Sequence, residues 1–155
     1  MLGGYGVRES FLNIAHNEVL QAAFLAWLIA QGAKTLLAWH ATGRFSLERL
    51  VGSGGMPSSH SALVVALTTG VGLREGWGST LTAITVVFSA IVMYDAAGVR
   101  RAAGKQARVL NKIVSELAAN KPVREERLKE LLGHTPFEVI VGALLGVAVA
   151  LWRMC

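Results

Sequence analysis

The sequence "GGMPSSHSALVVALTTGVGL" at residues 54–73 joins a polar loop directly to an apolar segment. Glycine, proline, serine and histidine crowd into the first half of the stretch, and the second half is almost wholly apolar. A proline turn followed by serine is a common way to begin a helix. The stretch therefore predicts a helix that begins with hydroxyl groups and a histidine and continues as an apolar rod.

The composition of the chain indicates that it resides in a membrane. Of its 155 residues 53% are apolar and 16% charged, and the mean hydropathy is +0.48. A soluble domain carries about 25% charged residues. A soluble bundle with buried core helices is the alternative, but the chain has too few polar faces to coat one. The single cysteine, Cys155, excludes an intrachain disulfide.

Four apolar segments predict an all-α, polytopic membrane helix bundle with about four spanning helices. A spanning helix takes about 20 residues. The segments at 19–39 and 79–97 meet this length, 136–152 is marginal, and 60–73 is short unless Ser58 and Ser59 belong to its first turn. We expect a single membrane-embedded domain over residues 1–155, with 98–135 as an amphipathic helical insertion.

The insertion carries its own periodicity. The sequence "RVLNKIVSELAAN" at 108–120 places apolar residues on one helical stripe, and "REERLKELLG" at 124–133 predicts a second, short polar helix. A helical hairpin that skims the membrane and contacts anionic headgroups would by itself explain the charge of this segment.

Basic residues are distributed unevenly about the predicted spans. With four spans, the loops 40–59 and 98–135 share one side and hold eleven Lys and Arg residues, against three on the other side. The positive-inside rule then places both loops in the cytoplasm and both termini outside. We expect a multi-pass protein of the cell membrane.

Polar residues at the predicted cytoplasmic ends of the four segments are candidates for function, because polar groups at membrane depth are costly. Cations and helix N-termini bind phosphate, and two histidines could act as nucleophile and general acid at phosphorus. A carboxylate one turn beyond a histidine would fix its tautomer. The candidates are Gln31, Lys34, Ser58, Ser59, His60, Asp95, Arg100, Arg101, His134 and Glu138.

Each of these signals also has a structural explanation. The sequence "TPFE" at 135–138 is a good helix start, with Thr135 as N-cap and Glu138 closing a capping box. Arg100 and Arg101 could be positive-inside charges alone. The sequence "GALLG" at 142–146 is a small-residue packing face that fits either intramolecular packing or a homodimer.

The motifs "GGMPSSHSA" and "GHTPFEVIVGALLG" together resemble the type 2 phosphatidic acid phosphatase (PAP2) superfamily, which includes the vanadium haloperoxidases. The resemblance is closer to a divergent branch of small membrane proteins and covers roughly residues 31–150. Ser59 stands where the superfamily has glycine, and Glu138 where it has aspartate. No Arg-Pro follows Lys34 at the usual spacing, and Leu128 occupies the usual third-motif arginine position.

The resemblance implies roles for the candidate residues that match the motifs of the superfamily. His134 would be the nucleophile that forms a phosphohistidine, His60 the acid that protonates the leaving alcohol, and Glu138 the group that orients His134. The residues implied to bind or line the phosphate are Lys34, Ser58, Ser59 and either Arg100 or Arg101. Two further residues are supporting candidates on their own chemistry. Asp95 has no counterpart in the main family and would pair with Arg100 or Arg101 to position one of them, and Gly55 would allow close approach in the loop.

The resulting expectation is a membrane-embedded, metal-independent phosphatase that needs no cofactor and hydrolyses a lipid or isoprenoid phosphate. Phosphatidylglycerophosphate, phosphatidate and prenyl phosphates are candidate substrates. The expected partners are this substrate and the membrane, without nucleic acid. The alternative is a catalytically inactive membrane protein that binds phosphate or lipid as a transporter or scaffold, although binding alone would not need both histidines and an acid.

Overall fold

The computed structural model describes residues 13–43, 55–118 and 134–155. Within these ranges the regular structure is helical throughout, without a strand, which confirms the predicted all-α class. The main helices are α1 (Glu18–Thr42), α2 (Ser59–Glu75), α3 (Thr80–Ala97), α4 (Val99–Ala118) and α5 (Pro136–Met154).

Short polar side chains define where four of these helices begin. Asn17 accepts hydrogen bonds from the backbone N–H groups of Val19 and Leu20 ahead of α1. Ser58, Ser79 and Thr135 cap α2, α3 and α5 in the same way, each accepting from the residue three positions on. These bonds satisfy N–H groups that the first helical turn leaves unpaired.

Three of the described helices are long and apolar enough to cross a membrane: Glu18–His40, Thr80–Ala97 and Pro136–Met154. The predicted number of about four is therefore high by one on these criteria. Helix α2 has 17 residues and includes Ser59 but not Ser58. It is the segment that the sequence already marks as short.

The chain runs back and forth, so that α1, α2, α3 and α5 alternate in direction. Glu18 at the start of α1 pairs with Arg74 at the end of α2, with 3.5 Å between Nη1 and Oε2. Gln21 in the first turn of α1 accepts a hydrogen bond from Arg153 at the end of α5. The end of α1, the start of α2, the end of α3 and the start of α5 therefore meet at the opposite end of the bundle.

Helix α2 lies at the centre of this arrangement and contacts α1, α3 and α5. Small residues form the core between α1, α2 and α5, namely Ala26, Ala30, Ala62, Ala66 and Ala150 with Val149. Gly142 of α5 faces the carbonyl oxygen of Ser58, and Gly146 faces the backbone of Ala62 and Ala66. The "GALLG" face thus serves packing within the chain.

Helices α2 and α3 are joined by hydroxyl groups in mid-helix. Thr68 and Ser89 lie 2.7 Å apart at their side-chain oxygens, and the Ser89 hydroxyl also donates to the carbonyl of Val64 at 2.9 Å. Because hydrocarbon offers no competing partners, such bonds link transmembrane helices. They fix the position of α3 against α2.

Large apolar side chains cover the outside of the bundle. Phe24, Leu36, Ile91 and Leu144 are each at least 60% exposed. Trp39, Trp77 and Trp152 are exposed near helix ends, where interfacial tryptophans lie. An apolar exterior over a core of small residues is the arrangement of a membrane bundle.

The predicted insertion at 98–135 begins with α4, a helix from Val99 to Ala118 that includes the predicted apolar stripe. The predicted second helix at 124–133 lies outside the described residues. The assignment of residues 1–155 to one domain with this insertion stays a prediction.

Candidate active site

His134 and Glu138 form a close pair at the start of α5. Nδ1 of His134 lies 3.2 Å from Oε2 of Glu138. The backbone N–H of Thr135 donates to the same carboxylate oxygen at 3.0 Å. An ionised carboxylate can only accept hydrogen bonds. Beside an ionised Glu138, Nδ1 donates the hydrogen bond, and in a neutral imidazole the lone pair then lies on Nε2.

His134 is held inside the bundle. Its side chain is 2% exposed, and its backbone N–H donates to the carbonyl of Ala96 at the end of α3, at 3.1 Å. Nε2 is buried and has no hydrogen-bond partner among the described residues. Buried polar atoms in proteins are nearly always paired, so an unpaired nitrogen in such a position is a candidate for contact with a ligand.

The loop that precedes α2 lies against the start of α5. The backbone N–H of Ser58 donates to the carbonyl of Glu138 at 3.1 Å. Ser58 is completely buried, Ser59 is 2% exposed, and the Ser58 hydroxyl accepts from that of Ser61 at 3.0 Å. The predicted serines therefore lie beside the His134–Glu138 pair.

Lys34 reaches the same loop from α1. Its side chain is 4% exposed, and a Cβ added to Gly55 would stand 3.2 Å from its Cγ and 3.3 Å from its Cδ. Gly55 has a φ of +83°, which side-chain-bearing residues rarely adopt. Gly55 thus combines the turn of the loop with close approach to the lysine stem, which brings a buried lysine side chain against the loop that leads to the buried serines.

Two other predicted residues lie at the surface, whereas Gln31 in α1 is buried, with 6% of it exposed. His60 is exposed in the first turn of α2, and Asp95 is exposed near the end of α3. Arg100 and Arg101 belong to the first turn of α4. The side chains of these two arginines lie outside the described residues. The pairing of Asp95 with one of them, and which of the two binds phosphate, therefore stay predictions.

The structure adds two features to this end of the bundle. The carbonyl of Ala96 anchors His134, and Thr35 is buried next to Lys34, with its hydroxyl donating to the carbonyl of Gln31 at 2.8 Å. The sequence did not predict either feature. A backbone carbonyl is the same in every residue, and a threonine whose hydroxyl bonds its own helix cannot be distinguished in the sequence from other helical threonines.

No group of three or more His, Cys, Asp or Glu side chains suited to a metal ion occurs among the described residues. The expectation of metal-independent chemistry stays a prediction. A cleft of about 450 Å³ lies at the other end of the bundle, where Asn17, Arg74 and Glu75 are among its lining residues. None of the predicted site residues lines this cleft.

Comparison with known proteins identifies the family. The chain is 40% identical over 152 residues to the "Uncharacterized membrane protein YuiD" of Bacillus subtilis, a match that covers 90% of this chain and 96% of that protein. No solved structure gives a significant match. Residues 15–149 match the "Divergent PAP2 family", a range that includes Lys34, the serine loop and the His134–Glu138 pair. The chain is a membrane protein that belongs to the Divergent PAP2 family.

Proposed function

We propose that the protein is a metal-independent phosphatase of the membrane that hydrolyses a lipid or isoprenoid phosphate through a phosphohistidine on His134. The observation that carries this proposal is the His134–Glu138 pair, buried in the bundle, with Nε2 of His134 unpaired among the described residues. A histidine whose Nδ1–H is held by a carboxylate presents its lone pair at Nε2, as a nucleophile requires.

In the first step the Nε2 lone pair attacks phosphorus, and the bond from phosphorus to the lipid oxygen breaks. His60 in its protonated form gives a proton to the departing alkoxide, which leaves as the alcohol. Glu138 stabilises the positive charge that develops on the His134 ring. The exposure of His60 at the start of α2 fits an acid that meets the leaving group at the edge of the site.

In the second step a water molecule attacks the phosphohistidine, and neutral His60 accepts one of its protons. The bond from phosphorus to Nε2 breaks, and inorganic phosphate leaves. Lys34 and the Ser58–Ser59 loop neutralise and hold the phosphoryl oxygens throughout. A charged Lys34 in this buried position would attract the phosphoryl oxygens more strongly than a lysine in water, because charges interact more strongly away from water.

The substrate class follows from the setting. The candidate site lies at one end of a bundle whose exterior is apolar. A substrate with a phosphate head and a hydrocarbon tail could place its head in the site and its tail in the surrounding lipid, where burial of the tail is favourable. The distribution of Lys and Arg supports a site that faces the cytoplasm. Either Arg100 or Arg101 would complete the phosphate contacts.

The test is release of phosphate by the purified protein in detergent, with EDTA present, from phosphatidate, phosphatidylglycerophosphate and prenyl mono- and diphosphates. His134→Ala should abolish release, and His16→Ala, at the far end of the bundle, should leave it unchanged. Vanadate, which mimics pentacoordinate phosphorus, should inhibit. An acid-labile phosphoprotein should accumulate on rapid quenching of the unaltered protein and be absent from His134→Ala.

Two results would overturn the proposal. One is release that persists undiminished in a folded His134→Ala protein. The other is a folded, unaltered protein that releases phosphate from no lipid on the panel. Saturable vanadate binding without turnover would then favour the alternative of a phosphate- or lipid-binding membrane protein, since binding needs only the cations and the loop.

A further inference from the structure

Helix α4 has an apolar stripe that no other described helix covers. The stripe residues are 37% to 66% exposed, and within the described part of the chain α4 contacts α3 alone. Residues at these spacings fall on one face of a helix with 3.6 residues per turn. The α4 stripe consists of Val109, Leu110, Ile113, Val114 and Leu117.

The other side of α4 is strongly basic. Arg108 and Lys112 are exposed, and the helix range 99–118 contains five Lys and Arg residues against one Glu. An apolar stripe opposite a basic face is the pattern of a helix that lies in the interface of an anionic membrane. The charge favours lipid phosphates, and the stripe favours the acyl boundary beneath them.

The position of α4 along the chain places it at the right depth. Helix α3 has 18 residues, or about 27 Å of helix, which nearly matches the ~30 Å hydrocarbon core of a bilayer. Only Gly98 separates α3 from α4, and its N–H donates to the carbonyl of Tyr94 at 2.8 Å. Helix α4 therefore begins where the hydrocarbon ends, next to the lipid-facing side chains of α3.

We propose that α4 lies along the surface of the membrane, with the α4 stripe inserted at the acyl boundary and with Arg108 and Lys112 directed to anionic lipid headgroups. The stripe then continues the apolar exterior formed by Ile84, Val87 and Ile91 of α3. A second copy of the chain is a poorer occupant, because two α4 helices packed face to face would bring two strongly basic helices together.

The experiment uses the full chain with Cys155→Ser, which removes the single cysteine. Two single-cysteine variants are compared, Ile113→Cys on the apolar stripe and Lys112→Cys on the basic face. The two positions are adjacent in sequence but lie on different faces of α4. Each is labelled with an environment-sensitive fluorophore and reconstituted in vesicles that contain phosphatidylglycerol. The label at 113 should be quenched by shallow spin-labelled lipids at least twofold more than that at 112, and the label at 112 should be quenched more by aqueous iodide.

Two controls separate lipid from protein and test the charge requirement. The label at 113 should stay protected from iodide when the lipid-to-protein ratio is raised tenfold. Loss of this protection as the protein is diluted in lipid would show that a second copy of the chain covers the stripe. Lipid quenching at 113 should fall at least twofold in phosphatidylcholine vesicles and in the double variant Arg108→Gln, Lys112→Gln. Equal quenching by iodide at positions 112 and 113 would overturn the proposal. Equal lipid quenching at 113 in phosphatidylglycerol and phosphatidylcholine vesicles would overturn the claim that α4 requires anionic lipid.

Discussion

Glu138 contacts His134 through the same oxygen that closes the helix cap. Oε2 lies 3.2 Å from Nδ1 of His134 and accepts the backbone N–H of Thr135 at 3.0 Å, while the Thr135 hydroxyl accepts from the backbone N–H of Glu138 at 3.3 Å. The sequence presents the capping box and the histidine pair as competing explanations of "HTPFE". In the structure both sets of contacts coexist, and the cap holds the carboxylate that contacts the imidazole.

We predict that Glu138→Gln separates these two roles. Glutamine also closes a capping box, so the unfolding transition should move little. The amide carries no charge to stabilise a cationic His134, so kcat should fall by roughly 10²–10⁴-fold. Phosphate release from the preferred lipid, with thermal unfolding in the same detergent, measures both quantities.

Thr135→Ala is the matched variant for the cap. Loss of the hydroxyl should cost about 1 kcal/mol of stability, while the His134–Glu138 contact and most of the activity remain. If instead Glu138→Gln destabilises the protein as much as Thr135→Ala and leaves kcat intact, Glu138 acts only as a capping residue.

A second prediction concerns the contact between Gly55 and Lys34. Gly55→Ala should weaken vanadate binding at least tenfold, because the new Cβ would press on Cγ and Cδ of the lysine as well as strain the backbone at φ +83°. Vanadate titration by calorimetry, in parallel with thermal unfolding, measures the effect.

Gly43→Ala provides the control for strain alone. Gly43 has a φ of +65° and ends α1, but an added Cβ there would meet nothing within 4 Å. Both variants should lose about 1 kcal/mol or more of stability from the left-handed backbone, and only Gly55→Ala should change vanadate affinity. Equal vanadate affinities would show that the Lys34 contact does not contribute to the site.

A third prediction concerns the close approach of α5 to α2. Gly142→Ala should destabilise the bundle by about 1–3 kcal/mol, because its Cβ would overlap the carbonyl oxygen of Ser58. Gly32→Ala in α1 is the matched control, since nothing lies within 4 Å of the added Cβ.

The Gly32 variant should be neutral, or gain about 0.5–1 kcal/mol from the better helix former. Unfolding in mixed micelles of increasing sodium dodecyl sulfate fraction measures both proteins. Equal stabilities for the two variants would contradict the backbone contact at Gly142. The homodimer would then be the better explanation of the "GALLG" face.

The features predicted correctly from the sequence are those set by local spacing. The i,i+4 relation of His134 and Glu138, the Thr135 cap and the apolar segments all depend on residues within one or two helical turns. The predicted segments 19–39, 60–73, 79–97 and 136–152 therefore agree with the helices to within three residues at each end.

The features that the sequence did not reveal depend on contacts between distant segments. The bond from His134 to the carbonyl of Ala96 and the approach of Lys34 to Gly55 join residues more than 20 positions apart. Thr68 and Ser89 likewise resemble isolated hydroxyls in apolar runs until α2 and α3 are packed.

The backbone contact of α5 with α2 has a consequence for how such a protein can change its sequence. His60 belongs to α2 and His134 precedes the N-cap of α5, and these two helices approach to backbone contact at Gly142 and Gly146. Main-chain contacts therefore help to set the separation of the two segments that carry the histidines. Side chains that face lipid can be exchanged to suit bilayers of different thickness or composition while these backbone contacts are retained.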